Sequence, residues 1–173
     1  KYRLVGSEMC IRDRGWDNED LVVVSPDEGS IKRAVGHAKR IGGSIAIIDK
    51  RRESATSVRQ ETIIGGPVEG KIALMFDDMI STGGSICGAA ELVKRYGAQE
   101  IHVAATHGVF AGHATELLKK APIDSVVITD TIPLKPENRL DKIKVLTVST
   151  LLGEAIKRIH HDQSISSIFN TGN

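Results

Sequence analysis

Aromatic side chains are scarce in this chain: three Phe, two Tyr and one Trp, or 3% of 173 residues. They are scattered as Tyr2, Trp16, Phe76, Tyr96, Phe110 and Phe169, which leaves no stacking platform of the kind single-stranded nucleic acid requires. There are only two cysteines, Cys10 and Cys87, far apart and at no spacing that suits a disulfide framework or a zinc site. Cys87 falls in an apolar helical stretch and reads as a buried thiol. Neither sign of charge is in excess: 23 Lys and Arg face 22 Asp and Glu, a net +1. That balance excludes a general electrostatic grip on nucleic acid. No apolar run approaches the roughly 20 residues that cross a bilayer, and no signal-peptide pattern opens the chain. No membrane partner is expected, and the expected location is cytoplasmic.

The hydrophobic share of 40% and charged share of 26% match an ordinary globular domain, long enough to bury roughly two thirds of its unfolded surface. From Leu21 onward, short β-branched runs alternate with amphipathic stretches. Leu21 to Ser25 is a continuous apolar run, the mark of a strand covered on both faces. Ile31, Ala34, Val35, Ala38 and Ile41 recur at helical spacing until Gly42-Gly43. Ser44 to Ile48 reads as a second strand, Asp49 to Glu61 as a long charged loop, and Lys71 to Phe76 as a third strand. A helix from about Ser85 to Tyr96 closes at Gly97. Strands at Ile101 to Thr106, Ser125 to Thr129 and Lys144 to Val148 follow, with helices near His113 to Lys120 and Leu151 to Ile159. The pattern predicts an α/β fold: an open, mostly parallel sheet with helices on both faces, binding ligands at the carboxyl ends of its strands.

Residues 1–20 do not join this pattern. Val5 to Arg14 has no period, so 1–20 reads as an unassigned extension, foreign or disordered, without function. Residues 21–173 read as one domain.

The chemistry concentrates in Met75-Phe76-Asp77-Asp78-Met79-Ile80-Ser81-Thr82-Gly83-Gly84-Ser85. An apolar strand runs into two adjacent carboxylates, and a small-residue loop then opens a helix. Gly83 and Gly84 let backbone N–H groups converge, while Ser81, Thr82 and Ser85 add hydroxyl donors. With the positive end of a helix behind them, these groups suit a phosphate monoester. The segment lacks the lysine of an ATP-binding P-loop and the glycine spacing of a dinucleotide fingerprint. Two carboxylates beside an anion cradle repel the anion unless something lies between, and the vicinal hydroxyls of a sugar donate well to acceptor-only oxygens. A phosphorylated pentose satisfies both demands, with its diol on Asp77 and Asp78 and Mg²⁺ offsetting surplus charge. The competing interpretation is an acidic turn that caps the next helix, which needs one such residue rather than the whole run.

This loop resembles the phosphoribosyl-pyrophosphate loop of type I phosphoribosyltransferases. Val24-Ser25-Pro26-Asp27, Asp49-Lys50-Arg51-Arg52, Thr106 to Phe110, Thr131-Ile132-Pro133 and Ser164 to Phe169 narrow the resemblance to the ribose-phosphate pyrophosphokinase family. It extends from Leu21 to the end and corresponds to the carboxy-terminal half of those enzymes. The resemblance implies transfer of the diphosphoryl group of Mg-ATP to O1 of ribose 5-phosphate, with release of AMP. It implies Ser81, Thr82, Gly83, Gly84 and Ser85 on the 5-phosphate, Asp77 and Asp78 on the ribose, and Asp27 as a Mg²⁺ ligand. Lys50 and Arg52 match a mobile catalytic loop, and cations there suit a transfer that accumulates negative charge on phosphate oxygens. Relatives often carry an acidic residue where this chain has Ser81, so a hydroxyl replaces a carboxylate acceptor. The family also implies homo-oligomers, dimers assembling into hexamers, and an adenine pocket drawn largely from the other half. Two other functions fit the same fold: a salvage phosphoribosyltransferase, for which no base-recognition segment is evident, and a non-catalytic regulatory homologue, which has no need of Lys50 and Arg52.

Overall fold

A computed structural model describes residues 15–51 and 60–169. Its seven strands are β1 (Leu21–Ser25), β2 (Ser44–Arg51), β3 (Gln60–Gly65), β4 (Ile72–Ile80), β5 (Glu100–Gly108), β6 (Ser125–Thr129) and β7 (Ile143–Leu146). They form one sheet in the order β3-β2-β1-β4-β5-β6-β7, parallel except for the β2–β3 pair. The helices are α1 (Ile31–Ile41), α2 (Gly84–Arg95), α3 (Ala114–Lys120), α4 (Ser149–His160) and α5 (Ser166–Phe169).

The apolar strands are buried on both faces because alternate residues feed two cores. On one face Val22, Val24, Ala73, Met75, Val103 and Val126 pack against Ile86, Ala90 and Val93 of α2 and Ala114 and Leu118 of α3. On the other, Leu21, Val23, Leu74 and Phe76 pack against Ala34, Ala38 and Ile41 of α1. Trp16 joins that second core and lies 4.7 Å from the His102 ring. Lys71 Nζ donates to the Glu19 carbonyl at 2.7 Å. Trp16 therefore packs against the sheet and Lys71 ties down Glu19, while 17–20 stay exposed and 1–14 lie outside the described residues.

Two sequence expectations are corrected. The segment Asp49 to Glu61 is not simply a loop: β2 continues to Arg51 and the chain returns as antiparallel β3, with Asp49 opposite Thr62 and Lys50 opposite Glu61. The charged run Asp49-Lys50-Arg51 at the end of β2 breaks the apolar pattern that marks a strand elsewhere, although β3 covers that side of β2 and forms the edge of the sheet. The strand read as ending at Phe76 runs on to Ile80, so Asp77 and Asp78 lie within β4.

Leu118 is fully buried while its neighbour Leu117 is largely exposed. Leu118→Ala is expected to destabilise the fold by about 2–5 kcal/mol, the cost of lost burial plus a cavity. Leu117→Ala is expected to change it by less than about 0.5 kcal/mol. Urea unfolding of both variants checks the assignment of the α3 core face.

Candidate functional site

β4 delivers Asp77 and Asp78 to the carboxyl edge of the sheet, where it stays paired with β5 as far as Met79 opposite His107 and Ile80 opposite Gly108. The loop that follows is fastened from the neighbouring β5–α3 connection. Val109 and Phe110 donate their N–H groups to the Ile80 carbonyl at 3.0 and 3.1 Å, and Ala111 donates to the Ser81 carbonyl at 3.0 Å. Gly108 makes this approach possible: a Cβ there would lie 2.7 Å from Ile128 Cδ1 and 2.9 Å from the Phe110 ring. Gly83 turns the loop into α2 with φ +78°, a left-handed conformation that glycine adopts without steric cost.

Among the described residues, no side chain caps the start of α2. Its first N–H groups are thus open to an anion, with the helix dipole reinforcing them. Ser81, Thr82, Gly84 and Ser85 are exposed around that opening and Gly83 is buried beneath it. The structure therefore brings the predicted phosphate-binding residues together around one helix start, directly after the two carboxylates.

Arg33, which sequence reasoning missed, lies across those carboxylates. Its Nη1 donates to Asp77 Oδ1, and its Nη2 is 3.4 Å from Asp78 Oδ2. One turn further along α1, the His37 ring stacks on Phe76 at 3.9 Å with planes 14° apart. This contact on Phe76, the core residue just before the two acids, fixes which face of α1 looks at them. The carboxylates also bind backbone: Asp78 N–H donates to Asp77 Oδ1 at 2.9 Å and Met79 N–H to Asp78 Oδ1 at 3.0 Å.

The two acids differ electrostatically. Burial, followed by the contact with Asp78, raises the Asp77 carboxyl above its ordinary range, against the pull of Arg33. Asp78 is exposed; its hydrogen bond with Asp77 first, and the Arg33 charge after it, hold its carboxyl below that range. The Arg33 guanidinium, set against both acids, offsets part of the negative charge that two free carboxylates would present. A phosphorylated ligand meets correspondingly less repulsion.

Asp27, expected as a metal ligand, caps the short turn Glu28–Ser30: its Oδ1 accepts from the Ser30 N–H at 2.8 Å. No cluster of three or more His, Cys, Asp or Glu able to hold a metal occurs among the described residues. Lys50 lies on β2 opposite Glu61; its side chain, like Arg52 as a whole, lies outside the described residues. His107 bonds locally, its Nδ1 2.8 Å from Thr131 Oγ1. A Glu100–His102–Ser125 chain, with contacts of 2.9 and 2.7 Å, has the composition of a nucleophilic triad. It lies at the amino ends of β5 and β6, with Ser125 and His102 buried, so it serves packing. No helix among the described residues is long and apolar enough to cross a membrane.

Comparison with known proteins is consistent with this geometry. A family model described as the phosphoribosyl synthetase-associated domain matches residues 56–170. A ribose-phosphate pyrophosphokinase of Rhodopirellula baltica is 66% identical over 156 residues, covering 90% of this chain and 49% of that protein. Another, from Caldanaerobacter subterraneus subsp. tengcongensis, is 51% identical over 151 residues, or 87% and 48% of the two chains. The crystal structure of phosphoribosylpyrophosphate synthetase from Mycobacterium smegmatis superposes with a TM-score of 0.79 at 33% identity, over 88% of this chain and 49% of that one. The chain spans about half the length of the curated relatives it matches. The glutamine phosphoribosylpyrophosphate amidotransferase of B. subtilis, at 20% identity and a TM-score of 0.50, shares the fold.

Arg33→Ala removes the cation opposing the ionisation of Asp77, and the Asp77 pKa is expected to rise further. A carboxyl whose folded pKa exceeds its unfolded value costs stability as pH climbs through the interval between them. The variant is thus expected to match wild type below the ordinary aspartate pKa of 3.8 and to fall behind above it. The deficit at neutral pH is expected to reach about 1 kcal/mol for so partly screened a pair. Urea unfolding at acid and neutral pH measures the difference; an equal deficit at both would remove the electrostatic role of Arg33.

Proposed function

The chain belongs to the ribose-phosphate pyrophosphokinase (phosphoribosyl synthetase) family, with a type I phosphoribosyltransferase fold, and on that premise we propose that it binds ribose 5-phosphate. As part of a longer protein, it serves the transfer of the diphosphoryl group of Mg-ATP to the sugar O1, giving 5-phosphoribosyl 1-pyrophosphate and AMP. The observation that carries this reading is the uncapped start of α2, ringed by Ser81, Thr82 and Ser85, immediately after Asp77 and Asp78. Few ligands want an anion cradle and two carboxylates side by side, and a sugar phosphate is one.

In this mechanism the N–H groups and hydroxyls of 81–85 hold the 5-phosphate and so fix the far end of the sugar. Asp77 and Asp78 accept hydrogen bonds from the ring hydroxyls, which orients O1 towards the nucleotide. The incoming diphosphoryl group gathers negative charge on its equatorial and leaving oxygens as the bond to O1 forms and that to AMP breaks. Lys50 of β2 and Arg52, next but one in sequence, would supply cations there, a compact charge and a planar fork.

Mg²⁺ keeps most of its water and takes one or two protein carboxylates alongside substrate phosphates. Asp27, exposed at the carboxyl end of β1 with only Oδ1 engaged by the Ser30 N–H, fits that modest demand and would hold it. When bound, Mg²⁺ neutralises triphosphate charge and fixes its geometry.

Calorimetric titration of the chain is expected to show ribose 5-phosphate binding at least about tenfold tighter than ribose, since a charge-assisted phosphate contact contributes about 1.5–3 kcal/mol. Equal affinity would sink the cradle. Lys50→Ala is best read in a chimera that completes this chain with the remaining half of the Rhodopirellula baltica relative. Turnover is expected to fall more than about a hundredfold, with the KM for ribose 5-phosphate little changed. Equal loss in both would assign Lys50 to ground-state binding instead.

A further inference from the structure

The helix α4 is built inside out. None of its twelve residues is buried. The half-covered side that rests on the domain consists of Leu151, Glu154, Ala155 and Arg158, and it carries an ion pair, Arg158 Nε to Glu154 Oε1 at 2.8 Å. The opposite side presents Leu152, Ile156 and Ile159, exposed by 54%, 66% and 60%. These three stand at i, i+4 and i+7, one continuous ridge on a helix. The strand that leads into α4 adds Val145, 44% exposed. A surface helix in a finished domain puts such a ridge against the core and its ion pairs in water; here the arrangement is reversed. A twelve-residue helix in water is also marginal without tertiary packing of its apolar face.

The occupant follows from charge and chain length. The only carboxylate on α4 is Glu154, turned inward to Arg158, so the outward side offers Lys157 and His160 without an acid among them. A second copy laid ridge to ridge about a two-fold axis would bring these cations against their own counterparts. The relatives, by contrast, carry as much polypeptide again as this chain matches. We propose that the Leu152–Ile156–Ile159 ridge of α4 is the docking face for that remaining half of the protein, through an apolar groove with an acidic rim. The domain thereby gains its α4 packing only when the two halves are joined, which couples this end of the sheet to the companion domain.

Hydrogen exchange tests this on the chain alone and on the chimera with the remaining half of the Rhodopirellula baltica relative. In the chain alone the amides of 153–160 are expected to exchange fast, and in the chimera at least about tenfold more slowly. Ile156→Glu in the chimera is expected to restore fast exchange, yet in the isolated chain to leave the unfolding midpoint within about two degrees, since the site is exposed. Identical exchange in chain and chimera overturns the proposal without need of a variant. Sedimentation supplies the other arm: a dimer of the isolated chain that Ile156→Glu dissolves makes a second copy the occupant and overturns it too. Neither result touches ribose 5-phosphate binding, which the calorimetry reads separately.

Discussion

Where β4 turns polar after Phe76 it does not leave the sheet; it stays hydrogen-bonded to β5 through Ile80, and the position of everything at the site depends on that extension. Had the strand ended with its apolar residues, Asp77 and Asp78 would stand on a loop and could settle towards any nearby cation. Held in the ladder, they are aimed by the pleat and stay within reach of α1. The same extension places the Ile80 and Ser81 carbonyls where Val109, Phe110 and Ala111 donate to them. The carbonyl side of the loop is thus satisfied from one direction, and the amide groups at the start of α2 are left for a ligand.

Much of this was legible in the residues. The continuous apolar runs at Leu21 to Ser25 and Ser125 to Thr129 can be satisfied only in a sheet covered twice, and two cores fed by alternate residues are what the fold shows. The loop from Ser81 to Ser85 declares itself by composition, because few other uses require two glycines and three hydroxyls at a helix start. Arg33 was not legible. It lies off the apolar stripe of α1, among residues that read as solvated, and only the stacking of His37 on Phe76 reveals which way that turn points. The antiparallel β2–β3 pair was missed for a related reason: β2 ends in Asp49-Lys50-Arg51, and a run of charge is the usual signature of a loop.

Arg33 alters the electrostatic argument for the site. Two carboxylates next to a phosphate cradle, read alone, require an external cation to be tolerable. The guanidinium supplies part of that from within the fold. The cost is competition, since the oxygens that Arg33 engages are among those a sugar diol would use. Asp78, more exposed and held at 3.4 Å rather than closely, yields most readily, so ligand entry is expected to loosen that contact before the one to Asp77.

The exposed ridge of α4 and the open cradle of α2 are opposite outcomes of one rule, that polar and apolar groups in a folded chain are matched to their surroundings. At α2 the unmatched groups are N–H donors at a helix start, which a small anion would complete. At α4 they are aliphatic side chains at i, i+4 and i+7, which a small anion cannot complete; only another packed surface can. The two ends of the domain therefore call for different kinds of partner. Because α4 follows β7, the outermost strand on its side of the sheet, a surface packed there would lie three strands from β4 and leave the start of α2 open. Docking at α4 and binding at α2 are then compatible in a single molecule, with the sheet between them as the rigid spacer.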